Sequence, residues 1–149
     1  MVRNFLGAGF LVLALAPVGF ISRADTPRVF AFDGGWSATV DDSKENAGDS
    51  ITFAKDGKET DCFERGEPGV VAFRDVSEIH FKGSKHPYFV SEWSSGTHGF
   101  RISVLDPSLK KNCEVKSFDA PYLIKYEVVG RSLKIEAPEE KPVTWTPPR

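Results

Sequence analysis

The residues after position 25 alternate between apolar and polar side chains in short runs, and this pattern constrains the fold most strongly. Trp36, Ala38 and Val40 share one side of an extended chain, with Ser37 and Thr39 on the other. Turn-forming residues such as Asp56-Gly57 interrupt the alternation about every eight to twelve positions, and no helical period of useful length appears. Alternation of this kind is typical of strands that bury one face. The chain is therefore expected to be all-β.

The clearest element is a hairpin near the C-terminus. Tyr126 and Val128 share one face, Gly130-Arg131 forms the turn, and Leu133 begins the returning strand. Glycine at the first turn position suits a type II′ turn, whose twist matches that of the flanking strands. About eight to ten short strands in one domain predict an antiparallel closed β-barrel, with a two-sheet β-sandwich as the alternative.

The N-terminus has the layout of a secretory signal peptide. Arg3 precedes an apolar or small run from Phe5 to Ile21, and Ser22-Arg23-Ala24 places small residues before a cleavage point. Cleavage after Ala24 would leave residues 25–149 as a single all-β domain with no stable membrane anchor. The expected location is the periplasm or the extracellular space, and the short signal favours a bacterial source.

Export decides how the cysteines are interpreted. The chain has two, Cys62 and Cys113, and no Cys-x-x-Cys motif. An oxidising compartment favours pairing them, so a structural disulfide is predicted, with the neighbouring strands side by side.

The sequence gives no support for nucleic-acid binding, metal binding or nucleophilic catalysis. The formal net charge of -2 gives no basis for nucleic-acid binding. His80, His86 and His98 have no second histidine or cysteine within about four positions, the close spacing that many zinc sites use, so no metal site is expected. No nucleophile motif is present, and Ser94 to His98 is interpreted as a turn. Neither catalytic residues nor a cofactor is predicted.

Two polar segments are predicted to be loops. The stretch Asp41 to Ser50 is interpreted as a long loop or a mobile lid, and Asn46 stands where an EF-hand loop needs glycine. The segment Lys82 to His86 carries three basic groups, which usually face water.

The aromatic residues of the middle third are the candidate ligand-binding residues. They would line a small apolar cavity if the barrel is hollow, and form a packed core if it is not. Both faces of the strand from Tyr88 to Trp93 are partly apolar, which indicates a second buried surface or a partner contact. The candidates are Phe73, Phe81, Tyr88, Phe89, Trp93 and Phe100.

Gly34-Gly35-Trp36 at the start of the first recognised strand resembles the Gly-x-Trp opening of the lipocalin and calycin barrels. The hairpin from Tyr126 to Ile135, with a Thr-Trp-Thr strand after it, is similar to the end of bacterial lipocalin-like domains. The resemblance implies an up-and-down barrel that binds a small apolar ligand or inhibits an enzyme, with Gly34 and Trp36 closing its base. Arg149 is the candidate for the arginine that stacks on the tryptophan in those barrels. The second lipocalin motif, Thr-Asp-x-x-Asn-Tyr, is absent.

These observations together predict an exported binding module for a small apolar ligand. The alternative is an inhibitor of a hydrolase such as lysozyme or a protease. It would insert a loop, either Ser94 to Gly99 or Gly83 to Pro87, into the active site of that target protein. A third hypothesis is an enzyme whose catalytic residues lie far apart in the sequence. It requires His80 or His98 beside a carboxylate in a cleft.

Overall fold

Short strands and tight turns account for most of the structure. The computed structural model describes residues 26–42, 48–67, 71–95, 99–110 and 112–148, so the proposed signal peptide lies outside the described residues. Strands take up 61% of the described residues, which confirms the all-β prediction. The eleven strands of the described residues are β1 (Arg28–Ala31), β2 (Trp36–Asp41), β3 (Ser50–Lys55), β4 (Lys58–Arg65), β5 (Val71–Ile79), β6 (Tyr88–Ser95), β7 (Gly99–Leu105), β8 (Glu114–Ala120), β9 (Lys125–Val129), β10 (Ser132–Glu136) and β11 (Val143–Trp145).

The strands form three antiparallel sheets. The first sheet has the order β1-β2-β3-β4, the second β5-β6-β7-β8 and the third β11-β10-β9. The predicted turns join neighbouring strands: Asp56 and Gly57, with φ of 51° and 77°, connect β3 to β4. In the β9–β10 hairpin Gly130 has a φ of 62°, and Leu133 pairs with Val128 as the alternation predicted.

The second sheet is buried on both faces. One face joins the first sheet in a cluster that includes Phe53, Phe89 and Trp93. The other face joins the third sheet in a cluster that includes Val90 and Leu133. This arrangement explains why both faces of β6 are apolar in the sequence, since successive residues of a strand point to opposite faces.

No strand ladder among the described residues closes the three sheets into a barrel. In a closed barrel each strand has one inward face, whereas β6 needs apolar cover on both faces. Stacking the second sheet between the other two provides that cover. The predicted barrel is therefore replaced by stacked sheets among the described residues.

The predicted disulfide is present. Cys62 of β4 and Cys113, just before β8, are bonded with their Cα atoms 5.3 Å apart. The two segments belong to different sheets, so the bond joins an edge strand of the first sheet to the edge of the second instead of linking paired neighbours. A disulfide is compatible with an oxidising, exported location.

Two strand assignments differ from the sequence pattern. β1 was not predicted, because Val29 is exposed and only Phe30 packs against the core. The apolar residues at 70–73 and 79–81 resemble two separate short strands in the sequence, yet β5 is continuous over Val71–Ile79. A register shift between Phe73 and Asp75 interrupts its alternation, which is what a β-bulge does to a strand pattern.

Candidate functional site

A cleft lies where the β5–β6 loop, the β9–β10 turn and the C-terminal segment meet. Its volume is about 270 Å³. We call it the basic cleft, because two of its lining residues are cationic and none is acidic. The lining residues are Phe81, Lys82, Gly83, Ser84, Tyr88, Arg131, Pro147 and Pro148.

The loop that carries Lys82 is held by short-range hydrogen bonds. The backbone N–H and the hydroxyl of Ser84 both donate to the Phe81 carbonyl, at 3.0 and 2.9 Å. Gly83 has a φ of 84°, a conformation that suits glycine and closes the turn. The Lys82 N–H donates to the Gly130 carbonyl at 2.7 Å, which ties this loop to the hairpin that carries Arg131.

Aromatic rings form the floor of the basic cleft. Phe81 packs edge-on against Tyr88, with ring centroids 5.1 Å apart, and against Trp145 at 6.0 Å. Phe81 and Tyr88 are both buried, so the cleft exposes only the margins of these rings. The resulting surface is apolar at its base and cationic at its rim.

A hydrogen-bonded cluster behind the floor fixes Tyr88. Burial raises the pKa of the Tyr88 phenol, and the charge of Asp106 and a hydrogen bond to it act in the same direction. The phenol therefore stays a neutral donor to Asp106. His86 stacks on the Tyr88 ring and approaches Asp106 Oδ1 through Nε2 at 2.9 Å.

The same cluster contains Ser108, His86 and Asp106 but does not form a nucleophilic triad. Such a triad places the carboxylate on one imidazole nitrogen and the serine on the other. Here Ser108 Oγ lies 3.2 Å from His86 Nε2, the nitrogen that also faces Asp106. The hydroxyl donates to Asp106 at 2.6 Å, so its hydrogen is directed away from the histidine. The geometry stabilises the loop.

The six candidate aromatic residues are divided between the two buried clusters. Phe73, Phe89 and Trp93 belong to the cluster between the first and second sheets. Phe81 and Tyr88 belong to the other cluster, against which Phe100 packs. Only Phe81 and Tyr88 line the basic cleft. Ligand binding by the other four residues stays a prediction.

The remaining predicted groups occupy surface or structural positions. His80 contacts Glu78 Oε1 at 2.8 Å, but its side chain is 64% exposed and lines none of the described clefts. His98 lies outside the described residues. Among the residues that the structure describes, no group of three or more His, Cys, Asp or Glu side chains could hold a metal ion.

The segment interpreted as a loop or lid is described only at its ends. Residues 43–47 lie outside the described residues, so a mobile lid there stays a prediction. Asp49 is buried, and its Oδ2 accepts a hydrogen bond from the Phe73 N–H at 2.8 Å. Asp49, which immediately precedes β3, therefore connects the first sheet to the second.

Gly34 and Trp36 lie at the start of the first sheet. Gly34, with a φ of 64°, belongs to a short 3₁₀ turn over Asp33–Gly35, and Trp36 then opens β2. The Trp36 ring packs against Phe89, and Lys55 Nζ lies 5.8 Å from the ring centroid. Arg149, the cation that the lipocalin resemblance suggested for this position, lies outside the described residues.

The sequence pattern missed the contribution of Arg131 to the basic cleft. Lys82 was recognised as part of a basic loop, but nothing local indicated that a hairpin turn about fifty residues later would face it. Arg131 was assigned only a turn position. Lys82 and Arg131 line the same cleft only because the third sheet packs on the second.

No protein-family model, curated protein or solved structure matches this chain significantly. Within the described ranges, no helix has the length and apolar character required to cross a membrane.

Proposed function

We propose that the protein is an exported, non-enzymatic binding module with a β-sandwich-like arrangement of stacked sheets. Its ligand is a small molecule with an apolar body and an anionic group, held in the basic cleft. One observation carries this proposal: the cleft combines an aromatic floor with two cations and no lining carboxylate. Small-molecule sites are commonly apolar concavities with a few polar groups that fix orientation.

The charges around the cleft favour an anion. Lys82 and Arg131 are both exposed, and among the described residues neither forms an ion pair. The buried carboxylate of Asp106, which contacts the cleft residue Tyr88, already accepts hydrogen bonds from Tyr88 and Ser108. An anionic group at the rim would therefore meet two cations that are free to bind it. Arginine in particular can engage a carboxylate through two parallel hydrogen bonds.

A pair of matched probes tests the proposal. 1-Naphthoate carries an aromatic body and a carboxylate, and 1-naphthamide has the same body without the charge. We expect the naphthoate to bind at least tenfold more tightly in calorimetric titrations, because charge-assisted hydrogen bonds contribute about 1.5–3 kcal/mol each. Replacing both cations (Lys82→Gln with Arg131→Gln) removes this preference and leaves the weaker amide binding unchanged.

Lys85→Gln is the matched control, because Lys85 is exposed on the same loop but does not line the cleft. It is expected to retain the preference for naphthoate. Equal binding of the two probes, or no binding of either at millimolar concentration, would refute the assignment. Native mass spectrometry of protein isolated from its own source would then identify any bound small molecule.

A second candidate function is inhibition of a hydrolase through the loop from Gly83 to Pro87. The observation that favours it is an exposed loop tip with fixed ends. Ser84 is hydrogen-bonded to Phe81, His86 contacts Asp106, and Pro87 is buried. A preorganised loop loses little conformational entropy on binding a target. Lack of inhibition across lysozymes and common proteases would exclude this function. The other predicted inhibitory loop, Ser94 to Gly99, includes residues outside the described part of the chain.

A further inference from the structure

The outer edge of strand β9 is open to a further strand. Among the described residues β9 pairs only with β10, so it forms one edge of the third sheet. None of the loop and turn hydrogen bonds between backbone groups in the described ranges involves Lys125–Val129. The N–H and C=O groups that point away from β10 are therefore left to solvent, and such a row of groups is a template for pairing with another chain.

The other edge strands are less suited to pairing. In β5 the Phe73 N–H donates to the Asp49 carboxylate, and a register shift follows between Phe73 and Asp75. The ladders of β4 and β8 also contain register shifts, whereas the β9–β10 ladder runs from Lys125 to Val129 without one. β1 and β11 are only four and three residues long. Because bulges twist an edge away from a second strand, β9 is the most regular edge of five or more residues in the described part of the chain.

The outward face of β9 carries exposed side chains in a fixed order. Lys125 and Glu127 are exposed, and Val129 is 55% exposed. Leu123, two residues before β9, is 47% exposed while Ile124 is buried, so the alternation of the strand extends back to Leu123. Along the chain, this face therefore presents an apolar, a positive, a negative and an apolar side chain.

This order is self-complementary when two copies of β9 lie antiparallel with Tyr126 on a twofold axis. Lys125 then faces Glu127 of the partner subunit, and Leu123 faces Val129 of the partner subunit. Both contacts occur twice because of the symmetry. Moving the axis to Lys125 or to Glu127 would place two like charges directly opposite each other, which destabilises a strand pair. Charge complementarity therefore selects one register.

The cross-strand neighbours on β10 extend this pattern. Glu136 pairs with Lys125, and Lys134 pairs with Glu127, in the β9–β10 register. In the paired arrangement, a row of side chains across four strands therefore alternates in sign: Glu136, Lys125, Glu127 of the partner subunit and Lys134 of the partner subunit. Within the described ranges neither Lys125 nor Glu127 forms an ion pair in its own chain, so both charges can bind the partner.

We propose that two copies of this chain associate through β9 and form a continuous six-stranded antiparallel sheet. Each copy contributes its three-stranded third sheet, and the twofold axis passes beside Tyr126. The pairing satisfies the backbone groups of both edges and removes Leu123 and Val129 from water. Because β9 has only five residues, the contact is smaller than a standard protein interface, and the dimer is expected to be weak and to depend on concentration.

Sedimentation velocity of the purified protein from about 1 µM to 1 mM tests this association, and a monomer–dimer equilibrium is expected. Lys125→Glu puts like charges at both symmetry-related contacts, and so does Glu127→Lys. Each variant alone should weaken association about tenfold or more. In an equimolar mixture the two variants present opposite charges to each other, so association should recover.

Lys58→Glu and Glu59→Lys are the matched controls, because they make the same charge changes at exposed positions of β4. Both should dimerise like the unmodified protein, and circular dichroism checks that every variant is folded. Nuclear magnetic resonance needs no variant: the amide signals of residues 123–129 should shift with the concentration of the unmodified protein. A monomer throughout the range, no recovery in the mixture, or concentration-dependent shifts confined to another edge would overturn the proposal.

Discussion

Removal of the disulfide should destabilise the protein strongly, because it closes a long loop. The sequence separation of 51 gives an entropy difference of about 14 cal/mol/K on the chain-entropy relation, which is about 4 kcal/mol at room temperature. Urea dependences for domains of this size are about 1–3 kcal/mol/M. The midpoint of unfolding is therefore expected to fall by about 1.3–4 M.

Two forms of the protein separate loop closure from packing. Reduced wild-type protein keeps both buried sulfur atoms, so its loss of stability reports loop closure. Cys62→Ala with Cys113→Ala also removes the sulfur atoms from the first buried cluster, which adds a further cost of about 1–2 kcal/mol. Urea unfolding followed by tryptophan fluorescence measures both forms, and the alanine variant under reducing conditions controls for the reductant itself.

A midpoint for the reduced wild-type protein within about 0.3 M of the oxidised value, well below the shift that urea dependences predict, would refute the reasoning. That result would mean that residual contacts in the unfolded chain already restrict it as much as the covalent bond does.

Three further substitutions are expected to act through single contacts, each measured by the same urea curves. Gly66→Ala should lower the free energy of unfolding by about 1–3 kcal/mol. The added Cβ would lie 2.8 Å from the Val71 carbonyl oxygen and 2.9 Å from the Trp93 ring. An unchanged unfolding midpoint would show that β4 can shift freely. Leu133→Ala should lower the free energy of unfolding by about 2–5 kcal/mol, since Leu133 is fully buried in the cluster between the second and third sheets. A loss below about 1 kcal/mol would show that the third sheet packs loosely. Tyr88→Phe should cost about 1–3 kcal/mol by leaving Asp106 with one donor fewer, and no loss would place the phenol hydrogen bond outside the stable fold.

Much of the local structure could be predicted from the sequence. The turns at Asp56-Gly57 and Gly130-Arg131 form where expected, because their backbone requirements are met by the residues themselves. The pairing of Cys62 with Cys113 was predictable because the chain contains no other cysteine. The β-bulge in β5 was missed, since a register shift breaks the very alternation by which a strand is recognised.

The candidate sites were less accessible to such reasoning. Glu64 shares the inward side of β4 with Cys62, so its strand position alone could have indicated a buried carboxyl. Its pKa, however, is raised mainly by burial against the second sheet, and the charge of Glu114 adds to the effect, so the shift depends on other elements of the chain. The basic cleft is similar, because Lys82 and Arg131 meet only through packing of the third sheet.

By itself, the sequence determined most of the strands, the turns, the disulfide partners and the two apolar faces of β6, because these follow from side-chain alternation, backbone preference and residue counts. Only the tertiary structure decided how the strands divide into three sheets and which sheet covers each face of β6. The physical reason is that an apolar face requires burial but does not specify its partner. Where several sheets can supply that cover, the whole set of contacts selects the arrangement, and the clefts between the sheets arise from that selection.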